Sequence, residues 1–216
     1  MLKANKRTLI ITSIITILPI FVGLYFWKEL PDVMATHFGT NNEADGFSSK
    51  AFAVFGLPLF LLAIHWFAAI VTTHDPKRRN ISPKMFTLVL WIVPVISLFV
   101  ATGTYLYNLG RQVNLSYIAM LFIGAVFVVI GNYLPKARQN YTIGIRIPWT
   151  LADETNWNRT HRMAGLLWMV TGLLIIILTL GGFAKASWMI AILLIVVFLP
   201  VLYSFVLYKK QKKETE

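Results

Sequence analysis

The chain has 216 residues, 57% of them hydrophobic and only 13% charged, and its 20 Lys and Arg against 9 Asp and Glu leave a net charge of +11. Soluble domains carry about 25% charged residues, so this composition excludes an ordinary soluble enzyme and a disordered chain. The absence of cysteine excludes a disulfide scaffold and thiolate metal sites.

Lys3, Lys6 and Arg7 precede the first apolar run, residues 9–27. That run is longer than the roughly 7–15 apolar residues of a secretory signal, and no convincing cleavage site follows it, so it reads as a retained span. Five further runs follow at residues 51–71, 85–107, 117–134, 164–182 and 188–208. A helix needs about 20 residues to cross the hydrocarbon core. A transmembrane barrel would alternate apolar and polar residues, which the run at 173–178 does not. The expected fold is all-α, a polytopic integral membrane protein with six transmembrane helices.

The cations orient these spans. Sixteen of the 20 lie on one side: Lys3, Lys6, Arg7; Lys77, Arg78, Arg79, Lys84; Lys136, Arg138, Arg146, Arg159, Arg162; and Lys209, Lys210, Lys212, Lys213. Only Lys28, Lys50, Arg111 and Lys185 fall on the other. Short loops rich in Lys and Arg stay cytoplasmic, so both termini are expected on the cytoplasmic side of the membrane. Five of the nine acids lie with the sixteen cations and four with the other four, so the whole surplus of +11 sits on the inner face. Two readings of that face are open. It orients the chain and attracts anionic lipid headgroups, or it recruits an acidic cytoplasmic partner. Direct nucleic-acid binding is not expected.

Within the spans His65 is the one clearly placed ionisable residue. Ion-coupled transporters and pumps rely on intramembrane acids or bases, so that class is disfavoured. A neutral His65 satisfies itself on a neighbouring helix, or serves a ligand or proton. No metal or cofactor is expected, since there is no HExxH and no intramembrane acid pair.

Two connections are long. The outer one, residues 31–50, offers His37, Asp45 and Lys50 as groups that converge on a ligand, while Asp45-Gly46 also suits a turn. Ser48 or Ser49 can cap the second span. The inner one, residues 135–162, carries Thr150 and Asp153 at capping-box spacing, predicting a helix from about 151. Trp157, His161, Gly165 and Trp168 then form one stripe leading into span five, with Arg159 and Arg162 on another face. Residues 140–148 mix Gly, aromatic and β-branched types, as in a short ordered hairpin or re-entrant piece. The loop reads either as an ordered docking surface or as an interfacial connection.

Residues 1–110 and 111–216 are the two three-span halves of one integrated membrane domain, each with its long loop after the first span. Three spans per half would invert the second copy, so a 3+3 inverted repeat fits this layout.

The inner connection resembles the signature of the SdpI family of bacterial immunity proteins, through Gly131-Asn132, Pro135-Lys136, Arg138 with Asn140, Gly144-Ile145-Arg146, Pro148-Trp149-Thr150-Leu151, Trp157 and His161-Arg162. The outer loop is similar to that family's N-terminal region of unknown function through Leu30-Pro31, His37-Phe38-Gly39, Asp45-Gly46 and Lys50. The resemblance implies a membrane protein, not an enzyme, that protects against a secreted peptide toxin. It also implies signalling, by capture of a cytoplasmic repressor at the membrane. On that resemblance the candidate contacts for a cytoplasmic partner are Arg138, Asn140, Gly144, Arg146, Pro148, Trp149, Thr150, Trp157, His161 and Arg162. Two rival readings stand beside it. One is a small transporter or channel for a neutral or amphipathic solute, dependent on His65. The other is an inner-face enzyme with His161 as base and Arg146 or Arg162 as anion holder.

Overall fold

A computed structural model describes residues 1–39, 42–183 and 186–215 of the protein. Lys185, counted above among the outer cations, and Glu216 at the C-terminus lie outside the described residues. The helices among the described residues are α1 (Lys6–Tyr25), α2 (Leu57–Thr73), α3 (Pro83–Asn108), α4 (Leu115–Tyr133), α5 (Pro148–Ala152), α6 (Glu154–Leu180) and α7 (Ala186–Thr215). Six segments, those of all but the short α5, are long and apolar enough to cross a membrane. Their outer surfaces carry bare Phe60, Phe67, Leu166 and Ile177, each more than 60% exposed. In water that area would cost about 25 cal/mol per Å²; against lipid tails it costs nothing. The chain is a polytopic α-helical membrane protein.

The long connection at residues 31–50, for which no strand is predicted, forms a β-hairpin, β1 (Val33–Phe38) and β2 (Ala44–Ser49). The strands pair antiparallel, with Val33 opposite Ser49, Met34 opposite Ser48 and Ala35 opposite Phe47. Asp45-Gly46, read as turn chemistry, lies inside β2.

The chain forms two compact units. The first contains Met1–His74 and Pro83–Ser116, hence α1, the hairpin, α2 and α3. Its interior is partly polar. Thr12 and Thr16 on α1 are fully buried, with Ser97 Oγ donating to the Thr16 carbonyl at 2.8 Å and Tyr105 Oη to the Pro19 carbonyl at 2.9 Å. Lipid offers no hydrogen bonds, so such groups must pair across helices. Leu30, Met34, Ala53, Val54 and Tyr105 form an apolar cluster that seats the hairpin on the helices. A π-helical turn, Phe52–Gly56, leads into α2, and Ser49 Oγ accepts the Phe52 N–H at 3.3 Å, as expected of a capping serine.

The second unit contains Asp75–Ser82 and Tyr117–Glu216. Glycines let α4 and α6 approach to backbone contact. A Cβ on Gly131 would stand 2.6 Å from the Met169 nitrogen and 2.8 Å from the Gly165 carbonyl oxygen, and one on Gly172 would meet the Gly124 carbonyl. On the other side of α6, buried Asn156 donates to the Ser204 carbonyl at 2.9 Å and accepts from Ser204 Oγ at 2.6 Å, joining α6 to α7.

Candidate functional site

The connection at residues 135–162, expected on the inner side, is built around side chains that hold backbone. Asn140 is 2% exposed. Its Oδ1 accepts the N–H groups of Thr142 (2.9 Å) and Ile143 (2.6 Å), while its Nδ2 donates to the Arg138 and Ile143 carbonyls. An asparagine side chain imitates a peptide group in this way, so the loop turns without secondary structure. The hairpin expected there does not form.

A second set closes the loop onto α6. His161 lies one turn beyond Trp157, their rings stacked with centroids 4.0 Å apart. Its Nδ1–H donates to the Trp157 carbonyl at 2.8 Å, and its Nε2 accepts the Ile145 N–H at 2.9 Å. Both ring nitrogens are thereby used in one neutral tautomer. Gly144 sits against that ring at φ 116°, with no room for a Cβ. Trp157 Nε1 donates to the Ala137 carbonyl at 2.7 Å. Thr150 Oγ1 accepts the Ile147 N–H at 3.1 Å and donates to the Ile145 carbonyl at 2.7 Å.

The bond from the Ile147 N–H corrects the predicted helix start. Thr150 caps α5, which ends at Ala152, and Asp153 caps α6, accepting the Asn156 N–H. The chain breaks between them because Asp153 is extended, at φ −133° and ψ 126°. Glu154 occupies the first turn of α6, where the helix dipole favours it. Trp149 on α5 packs against Phe205 and Tyr208 of α7 at centroid distances of 4.9 and 6.2 Å.

The ten candidate contacts therefore divide by exposure. Asn140, Thr150, Trp157 and His161 are at most 2% exposed, while Gly144 and Trp149 are partly covered. Arg138, Arg146, Pro148 and Arg162 face outward, Arg146 steadied by donation to the Tyr141 carbonyl at 2.7 Å. The interior members shape the loop, and the surface they present is cationic.

Four residues outside the candidate set complete it. Asp75, 2% exposed, accepts from Thr142 Oγ1 and the Tyr141 N–H, each at 2.8 Å. Lys77 donates to Gln139 Oε1, Asn80 Nδ2 to the Gln139 carbonyl, and Gln139 Nε2 to the Thr150 carbonyl. The connection between α2 and α3 is thus part of the loop's own framework. One signal was available in the sequence: Asp75 is the single acid in an otherwise basic connection.

In the first unit His37 Nδ1 donates to Asp45 Oδ1 at 2.5 Å. Lys50 pairs instead with Asp32 at 3.0 Å and donates to the Trp27 carbonyl, so the three outer candidates form two separate pairs. His65 is 1% exposed, with Nε2 3.0 Å from Thr12 Oγ1. The Thr12 hydroxyl proton is directed to the Thr8 carbonyl at 2.8 Å, so the imidazole N–H donates and binds α2 to α1. Among the described residues no group of three or more His, Cys, Asp or Glu could hold a metal ion.

A multi-pass membrane protein with a β-hairpin at one loop and a side-chain-braced cationic loop at another is the class these features define. Residues 136–206 match the SdpI/YfhL protein family, and residues 14–62 match a domain of unknown function, DUF1648. The chain is 29% identical over 210 residues to Immunity protein SdpI of Bacillus subtilis (strain 168), covering 93% of this chain and 96% of that protein. No solved structure matches it. By these matches the chain is similar to the SdpI family, and it is a multi-pass protein of the bacterial cell membrane in contact with its lipids.

Proposed function

We propose that this protein gives its cell immunity to a secreted peptide toxin that attacks the membrane, and that it signals by holding a cytoplasmic repressor at the inner face. The observation that carries the reading is the near end-to-end similarity to a protein named for immunity, spanning both the hairpin and the braced loop. In this reading the toxin is met at the outer hairpin or within the membrane. The repressor is met on the outward-facing Arg138, Arg146, Pro148 and Arg162. Asn140, Gly144, Thr150, Trp157 and His161 act as positioning residues that hold those cations. Signalling requires two states, with toxin binding more tightly to the one that presents the loop.

Deleting the gene and exposing cells to the cognate toxin tests the first half; unchanged survival sinks it. The second half predicts that Arg146→Ala abolishes membrane capture of the repressor while survival and insertion persist. Capture that tolerates simultaneous loss of Arg138, Arg146 and Arg162 defeats it.

A further inference from the structure

We propose that the open edge of β2 takes up an extended peptide segment, apolar at its centre and basic at its flanks, as a third strand. The two edges of the hairpin differ. Ala35 faces Phe47 across the ladder, and its own N–H and C=O turn away from β2. They are met by the side-chain amide of Asn108 at the end of α3, both bonds being 2.9 Å. An amide placed so imitates a neighbouring strand, and it closes the β1 edge.

In an antiparallel ladder the partner of an outward-turned residue is outward-turned too. The N–H and C=O of Phe47 therefore point from the opposite edge. The sheet has only two strands among the described residues, and no described group meets that backbone pair. An exposed row of unpaired donors and acceptors is a template for another strand.

Side chains along the edge select the guest. Val33 and Phe47 share the face turned away from the helices and are 63% and 62% exposed. Glu43 and Asp45 flank one end of β2 and are exposed, and Asp32 at the other end is 98% exposed. The cation at the foot of β2 is withdrawn from solvent. Lys50 is 12% exposed, paired with Asp32 and set over the Trp27 ring at 5.2 Å. The surface presented to a guest is thus apolar in the middle and acidic at both ends, which complements a basic-flanked strand. The pairing stands on the hairpin alone; identifying the natural segment with the toxin rests on the immunity reading above.

The test uses the full chain in lipid nanodiscs and a fluorescent peptide of alternating Val and Thr with a Lys at each end. Saturable binding is expected. It should weaken about tenfold when the amides facing the edge are N-methylated, the equivalent of losing one or two main-chain hydrogen bonds. It should also weaken with Glu in place of the terminal Lys, and in Glu43→Lys. Phe47→Pro should weaken it without disturbing the ladder, whose hydrogen bonds do not use that N–H. Absence of saturable binding, equal binding of the N-methylated peptide, or equal binding to empty nanodiscs, which would make the bilayer the acceptor, each overturns the proposal. Peptide binding with no survival advantage against toxin would instead remove the immunity reading and leave the strand site standing.

Discussion

Asp75 and Thr142 lie 67 positions apart, and the Thr142 hydroxyl donates to Asp75 Oδ2 at 2.8 Å. The same oxygen accepts the Tyr141 N–H, and Oδ1 accepts the Lys77 N–H at 2.7 Å. The buried carboxylate is thus held by three donors that would be left bare without it. Hydrogen bonds to a charged acceptor contribute about 1.5–3 kcal/mol each. Asp75→Ala should therefore loosen the inner loop while the spans stay inserted, speeding trypsin cleavage after the already exposed Arg138 and Arg146; Asp75→Asn should do so less. Equal protease resistance in Asp75→Ala and the parent would refute this brace.

His161 supplies the acceptor for the Ile145 N–H. His161→Phe keeps a ring against Trp157 but removes that acceptor, and an unsatisfied buried donor costs about 1–3 kcal/mol. Faster hydrogen exchange at Ile145 and a lower Tm are the expected readouts. Gly144→Ala should act in the same direction, since φ 116° and the adjacent ring both oppose a Cβ. Unchanged exchange in both variants would show that the ring does not hold the loop.

The approach of α4 to α6 depends on glycine. A Cβ on Gly131 meets backbone atoms of Met169 and Gly165, which no rotamer change can move aside. Gly131→Ala should destabilise the protein by about 1–3 kcal/mol, the usual range for overpacking. Gly103→Ala, whose Cβ would meet only the Leu115 side chain at 3.1 Å, should cost much less. Thermal melts in detergent that rank the two the other way would contradict the close packing.

Thr12 is the partner of His65 Nε2 between α1 and α2, while His65 Nδ1 is buried with no described partner. Interhelical hydrogen bonds of this kind average about 0.6 kcal/mol, up to about 1.7. Thr12→Val should lower stability by that order, whereas Thr12→Ser should retain most of it. A melt in which Thr12→Val and Thr12→Ser coincide would remove this bond as a stabilising contact.

The absence of cysteine makes the orientation directly measurable. An impermeant maleimide should label Glu43→Cys in intact cells, and Arg138→Cys only after permeabilisation. The reverse pattern would invert the charge-based topology.

Six spans and their charge asymmetry were legible in the sequence because lipid imposes a length and a polarity on every segment that crosses it. The inward stripe of Trp157 and His161 was legible because helical spacing alone places them together. The rest depended on contacts between distant positions. Asn140, Thr150 and His161 carry the family pattern, yet whether such a residue faces a partner or braces the chain is decided by what lies against it. Here those neighbours are loop carbonyls and N–H groups, so the residues turn inward and leave the surface to arginine. The hairpin is too short for its alternation to outweigh its Gly, Asn and Asp, and it stands because Leu30 and Met34 find an apolar seat among Ala53, Val54 and Tyr105. The opening surplus of +11 is likewise clearer. Sequence placed it on one face, and tertiary structure showed that the only buried acid among the described residues, Asp75 of the α2–α3 connection, is consumed by hydrogen bonds, while Arg138, Arg146 and Arg162 face outward.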